Sequence, residues 1–152
     1  MITLLFHHGK GDLVSEVLRF FTRGSYTHVA LLSPGGDCVI DASGATRPKG
    51  VKGTPAWLWM RRHPGCVLRT SDLPDAVTVW RLAESQIGKP YDWAYVWGWL
   101  FRRHWQKQDK WVCHELIAWA CAEAGTPLLD MTDAHFLTPD HLFRVTKPME
   151  RD

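Results

Sequence analysis

A cysteine at position 113 opens an apolar run, Cys113-His114-Glu115-Leu116-Ile117-Ala118-Trp119-Ala120-Cys121, directly after a polar stretch from Gln106 to Lys110. Val112, Leu116, Trp119 and Ala120 recur at i, i+4, i+7 and i+8, the period of a helix with a buried face. With Asp109 as N-cap and Gly125 as the C′ stop, Cys113 falls in the first turn of that helix. The N–H groups of a first turn have no intrahelical acceptor and the helix dipole is positive there. A thiol so placed is biased toward thiolate, its nucleophilic form. The competing reading is a small core residue, as most buried cysteines are. A catalytic thiol needs a base to take and return a proton, and a polar group to orient that base.

Eight histidines are available. His28 stands apart because it lies within an apolar strand-forming segment, Tyr26-Thr27-His28-Val29-Ala30-Leu31-Leu32. Alternation along a strand sets His28, Ala30 and Leu32 on one face and Val29 and Leu31 on the other. Its pKa range suits proton transfer near neutral pH. A core histidine satisfied by a backbone carbonyl is the alternative. For the orienting group, Asp41 lies in Val39-Ile40-Asp41-Ala42, and the turn cluster Ser33-Pro34-Gly35-Gly36-Asp37 predicts a hairpin that brings this strand beside the His28 strand. An acid inside an apolar strand requires a partner, because an unpaired buried charge is costly. Asp37, in the turn itself, is the weaker candidate.

The elements around these residues follow from periodicity and breakers. Ile2 to Phe6 reads as a strand, and Asp12 as the cap of a helix through Leu13, Val14, Val17, Leu18 and Phe21 that Gly24 stops. Ser43 to Gly53 reads as a loop in which Gly50 to Gly53 has room for a short strand. Trp57 to Arg62 is a short helix or an irregular aromatic patch. Cys66 to Arg69 and Val77 to Leu82 read as strands, the second with the option of running into a helix through Ala83 to Ile87. Ala94 to His104 reads as a helix whose Trp93, Trp97 and Phe101 share a stripe, more often core than ligand box. Thr138-Pro139-Asp140 is a helix start with proline at N1, and Arg144 to Thr146 reads as a last strand.

Length and composition set limits. The 152 residues fit one domain, 1–152, long enough to bury a sizeable core. Hydrophobic residues make up 45% and charged residues 22%, the balance of a soluble globular protein. A net charge of +2 gives no reason to expect a nucleic-acid partner. Nine tryptophans are many for this length and point to aromatic-lined surfaces or clefts. The first residues lack the cationic leader and long apolar core of a signal peptide, and no stretch approaches a transmembrane span, so the expected compartment is the cytoplasm. Cys38, Cys66, Cys113 and Cys121 form no CxxC pair and read as free thiols. A metal site from Cys113, His114 and His28 lacks the usual ligand spacing, and no cofactor is called for.

Six segments occur in one order: Gly11-Asp12-Leu13, Tyr26-Thr27-His28-Val29-Ala30-Leu31, Val39-Ile40-Asp41-Ala42, Gly88-Lys89-Pro90-Tyr91-Asp92-Trp93, Cys113-His114-Glu115-Leu116 and Thr138-Pro139-Asp140. The set resembles the circularly permuted branch of the NlpC/P60 cysteine-hydrolase superfamily, the YiiX/YaeF-like proteins related to lecithin:retinol acyltransferase. In that branch the histidine strand precedes the cysteine helix. The resemblance implies an α+β, permuted papain-like fold: a small antiparallel sheet or half-barrel packed against helices. It matches Cys113 to the nucleophile, His28 to the base, Asp41 to the polar third residue and Glu115 to a structural acid. Two positions depart. His114 stands where relatives usually have serine, and Trp111 where they often have tyrosine. The oxyanion site therefore has the Cys113 N–H, with Tyr26, Trp111 and His114 as further substrate or oxyanion candidates.

The activity implied is acyl transfer from an amide or ester through a Cys113-His28-Asp41 triad, on a small-molecule, peptide or lipid-like acyl substrate. Lipid acyltransferase or thioesterase chemistry is the alternative, as is a non-catalytic phage- or envelope-associated binding module with the same fold. A cell-wall role would require export or lysis, which a phage-borne origin would supply.

Overall fold

A computed structural model of the chain describes residues 1–9, 23–45, 47–72, 75–94, 109–129 and 137–149. The helix expected over residues 12–24 and the one expected over 94–104 lie mainly outside the described residues, with the aromatic stripe of Trp97 and Phe101.

The described strands are β1 (Ile2–His7), β2 (His28–Leu32), β3 (Cys38–Ser43), β4 (Gly50–Pro55), β5 (Val67–Ser71) and β6 (Lys147–Pro148). They form one antiparallel sheet in the order β4-β3-β2-β1-β5-β6. Among the described residues four helices accompany it: α1 (Ala56–Arg62), α2 (Ala76–Glu84), α3 (Cys113–Glu123) and α4 (Pro139–Arg144). The architecture is α+β.

Alternation divides the sheet into two apolar faces. Ile2, Leu4, Phe6, Val29, Leu31, Ile40, Ala42 and Val51 are buried with residues of α2, α3 and α4, including Val79, Ala83, Leu116, Ile117 and Leu142. Leu5, Ala30 and Val39 point the other way and are covered by Ala56 and Trp59 of α1. The central strands β1, β2 and β3 carry apolar residues on both faces because both are covered. α3 accordingly buries eight of its eleven residues, far more than a single amphipathic stripe requires.

Three expectations change. Val77 to Leu82 is helical: Asp75 caps α2 by accepting the Thr78 N–H at 2.9 Å, and Val79 and Ala83 face the core at helical spacing. Those β-branched residues read equally well as a strand until the cap is weighed. Arg144 to Thr146 closes α4 instead of forming a strand, and the pairing with β5 begins only at Lys147. Asp109 does not cap α3. The helix begins at Cys113 with Val112 as N-cap in extended conformation. Residues before it are held straight by Trp111, whose N–H donates to the Pro90 carbonyl and whose carbonyl accepts the Asp92 N–H.

Candidate active site

His28 is the first residue of β2 and Cys113 the first of α3, an element that packs on β2 and β3. The hairpin pairs Leu31 with Ile40 and Leu32 with Val39. Continued, that register sets Ala30 opposite Asp41 and His28 diagonal to it on the same face, within reach of a long side chain. His28 Nε2 lies 2.7 Å from Asp41 Oδ2. With Nε2 committed to the carboxylate, Nδ1 is the nitrogen left for a thiol, and Cys113 and His28 are near enough to shift each other's titration. The sequence motif Cys-His-Asp is thus spatially one cluster, built from a strand start, its hairpin partner and a helix start.

Electrostatics favour charge separation. Burial pulls the His28 constant down, but the bonds to Asp41 and to Cys113 outweigh it and raise the imidazolium to about 10. Burial pushes the Cys113 thiol up, but His114 first and His28 second bring it down to about 5. Burial likewise opposes ionisation of Asp41, and its His28 partner holds the acid below the usual carboxylate value, with Lys52 adding attraction. Lys52 is the cross-strand neighbour of Asp41. The two shifts run in opposite senses, thiol down and imidazole up, with the Asp41 carboxylate behind the ring. The other thiols differ: burial raises Cys66, and it pushes Cys121 up to about 12.

His114 is buried, and its Nδ1 lies 4.0 Å from Cys113 Sγ. Glu115 is buried in the same turn. Trp111 lies two residues before the sulfur, but its indole N–H donates to Gln86 Oε1 at 3.1 Å and so is already engaged. Tyr26 stacks between His8 and Phe143, with ring centroids 4.3 Å and 4.5 Å away.

Two motifs prove to be clamps. The Gly88-to-Asp92 segment runs beside β4, where the Val51 N–H donates to the Lys89 carbonyl and the Gly88 N–H to the Val51 carbonyl, each at 2.9 Å. Its far end pairs Tyr91 with Trp111, which fixes the approach to Cys113. Asp140, at the start of α4, accepts the backbone N–H groups of Ser25 and Tyr26 at 3.0 and 3.2 Å, which fixes the approach to His28.

Sequence reasoning missed the aromatic surroundings of the base. Trp59 of α1 is 1% exposed and lies nearly parallel to His28, at 20° and 6.0 Å. His63 stacks on Trp59 at 4.0 Å and on His28 at 5.7 Å. His7, paired with His28 across β1 and β2, meets His63 edge-on at 5.0 Å. Their clue was a histidine or tryptophan at the end of an apolar element, a pattern several other positions share.

Among the described residues no group of three or more His, Cys, Asp or Glu side chains is arranged to hold a metal ion. No described helix is long and apolar enough to cross a membrane. No protein-family model and no curated protein matches the sequence. A solved structure does: the crystal structure of YiiX from Escherichia coli O157:H7, described as a metalloprotein of DUF1105, superposes with a TM-score of 0.69 at 16% identity, over 99% of this chain and 96% of that one. At that identity the likeness is one of fold, and this chain has the YiiX-like fold.

Proposed function

We propose that this protein is a cysteine hydrolase that opens an amide or ester by acyl transfer to Cys113. The observation that carries the reading is His28, with Nε2 2.7 Å from the buried Asp41 carboxylate, at the start of a strand against which the helix opened by Cys113 packs. The thiolate attacks the acyl carbonyl, and the resulting oxyanion takes the Cys113 backbone N–H at the helix start. The imidazolium of His28 gives its proton to the leaving amine or alcohol as the C–N or C–O bond breaks, leaving a thioester. Neutral His28 then takes a proton from water, whose hydroxide attacks the thioester and frees the acid and the thiolate. Asp41 keeps the ring in one tautomer throughout and stabilises its charged form.

The test needs no knowledge of the natural substrate. Iodoacetamide labelling is followed cysteine by cysteine against pH by peptide mass spectrometry. Cys113 should react fastest, with an acid limb below that of an ordinary thiol, and Cys121 slowest. An activated acyl ester should leave its acyl group on Cys113. Labelling of all four cysteines with one common pH profile would sink the reading.

A further inference from the structure

Asp41 Oδ1 and Trp59 Nε1 are the buried side-chain polar atoms without a hydrogen-bond partner among the described residues. One is an acceptor and the other a donor. Both are sealed in, with Asp41 2% and Trp59 1% exposed. Both lie at the His28 ring, Asp41 Oδ2 at 2.7 Å from Nε2 and the indole nearly parallel to it at 6.0 Å, and Trp59 packs on Val39 and Ala30, on the sheet face that carries Asp41. A buried carboxylate oxygen and a buried indole N–H, each lacking a partner and close to one another, have one economical solution, which is each other.

α1 places the tryptophan for this purpose. The helix follows β4 directly, and its first N–H donates to the Asp37 carbonyl at 2.8 Å, tying it to the turn of the hairpin that carries His28 and Asp41. At the other end, His63 Nδ1 donates to the Trp59 carbonyl at 2.8 Å and its ring stacks on the indole. The indole is held from both sides over the imidazole.

We infer that Trp59 is a positioning residue of the active site, whose indole N–H holds Asp41 Oδ1 so that Oδ2 stays on His28 Nε2. The inference rests on the proposed roles of Cys113, His28 and Asp41. A carboxylate anchored through one oxygen can rotate about its Cβ–Cγ bond, and a second anchor on Oδ1 removes that freedom. The group acts through Asp41, not on the reacting atoms.

Cys113 labelling against pH is measured in the wild type, W59F, D41A and the double variant. W59F keeps an aromatic ring and deletes the N–H. It should move the thiol limb up by about one pH unit, so that the rate on that limb falls about tenfold, and should add nothing further where Asp41 is already gone. A W59F profile that overlays the wild type, or shifts downward, overturns the inference. An equal loss with and without Asp41 overturns it too, because packing alone would give that result. Should W59F lack a cooperative melt, Trp59→3-benzothienylalanine, which keeps the bicycle and replaces the N–H with sulfur, is read by the same criteria. A wild-type Cys113 that titrates as an ordinary thiol overturns the triad reading and this inference with it. A low wild-type limb that D41A raises and W59F leaves in place overturns only the role of Trp59.

Discussion

The charge state of Cys113 is a contest between burial and its neighbours. Burial alone would keep the thiol protonated and the imidazole neutral, since each ion loses its hydration. The neighbours reverse both outcomes, and His114 is the first of those acting on the sulfur. His114→Ser keeps a polar side chain but removes that imidazole, so the acid limb of Cys113 labelling should move up by about one pH unit, with the fast plateau retained. An unmoved limb would leave His28 as the sole cause of the lowered thiol. Asp41→Asn tests the other end. The amide oxygen can still accept from Nε2, so the tautomer survives, but the negative charge is lost. The His28 constant should fall toward its ordinary value and the Cys113 constant rise toward its own. The acid limb of Cys113 labelling should therefore move up with the plateau retained, whereas a mere orienting role for Asp41 would leave that limb where it is.

The segments that deliver these side chains are held by backbone contacts, and two glycines separate contact from conformation. Gly50 has φ +107, and a Cβ there would lie 2.3 Å from the Lys89 carbonyl oxygen. Gly50→Ala should push the Gly88-to-Asp92 clamp away, lower stability by about 1–3 kcal/mol and slow Cys113 labelling, because the same clamp fixes Trp111. Gly36 has φ +77 but nothing within 4 Å of its would-be Cβ. Gly36→Ala should therefore carry only the left-handed strain of about 1–2 kcal/mol and leave labelling unchanged. Urea unfolding with labelling of the folded state checks both. These clamps also mark where the sequence stopped being readable. β1, the β2–β3 hairpin, the start of α4 with proline at N1 and the Gly125 stop were all legible, since alternation, turn residues and caps are local. So was the pairing of Asp41 with His28, because an acid and a histidine inside apolar strands need a reason. The start of α3 was not: Asp109 has a capping side chain, yet a tertiary pairing of Trp111 with Tyr91 keeps the intervening residues extended. Nor was the engagement of the Trp111 indole with Gln86, or the stacking of Trp59 and His63 on His28, because docking of remote elements leaves no period in the sequence.

Across the whole molecule the same charges shape stability against pH. The thiol constant is depressed on folding, so its contribution is full above the unfolded value of 9.0 and is lost as pH falls toward about 5. The His28 constant is raised, so its contribution is full below 6.5 and is lost as pH rises toward about 10. Between 6.5 and 9.0 the folded state gains from one what it loses from the other, and the two slopes oppose. His7 breaks the symmetry on the acid side. Burial first, then the neighbouring His63, His28 and His8, lower its constant to about 4, so the unfolded chain binds a proton that the folded chain refuses as pH falls below 6.5. Burial lowers His63 as well, in the same sense. Stability should thus run nearly level from about pH 6.5 to about 9 and drop steeply toward pH 5, where thiol and histidines act together. Urea midpoints at pH 5.5, 7 and 8.5 read this directly, and His7→Asn should shallow the acid drop without tilting the level stretch. Cys113→Ala tilts it: with the thiol slope gone and Asp41 still raising His28, stability should decline steadily as pH rises through that stretch. A Cys113→Ala profile as level as the wild type's would mean that sulfur and imidazole do not share a charge pair in the folded protein.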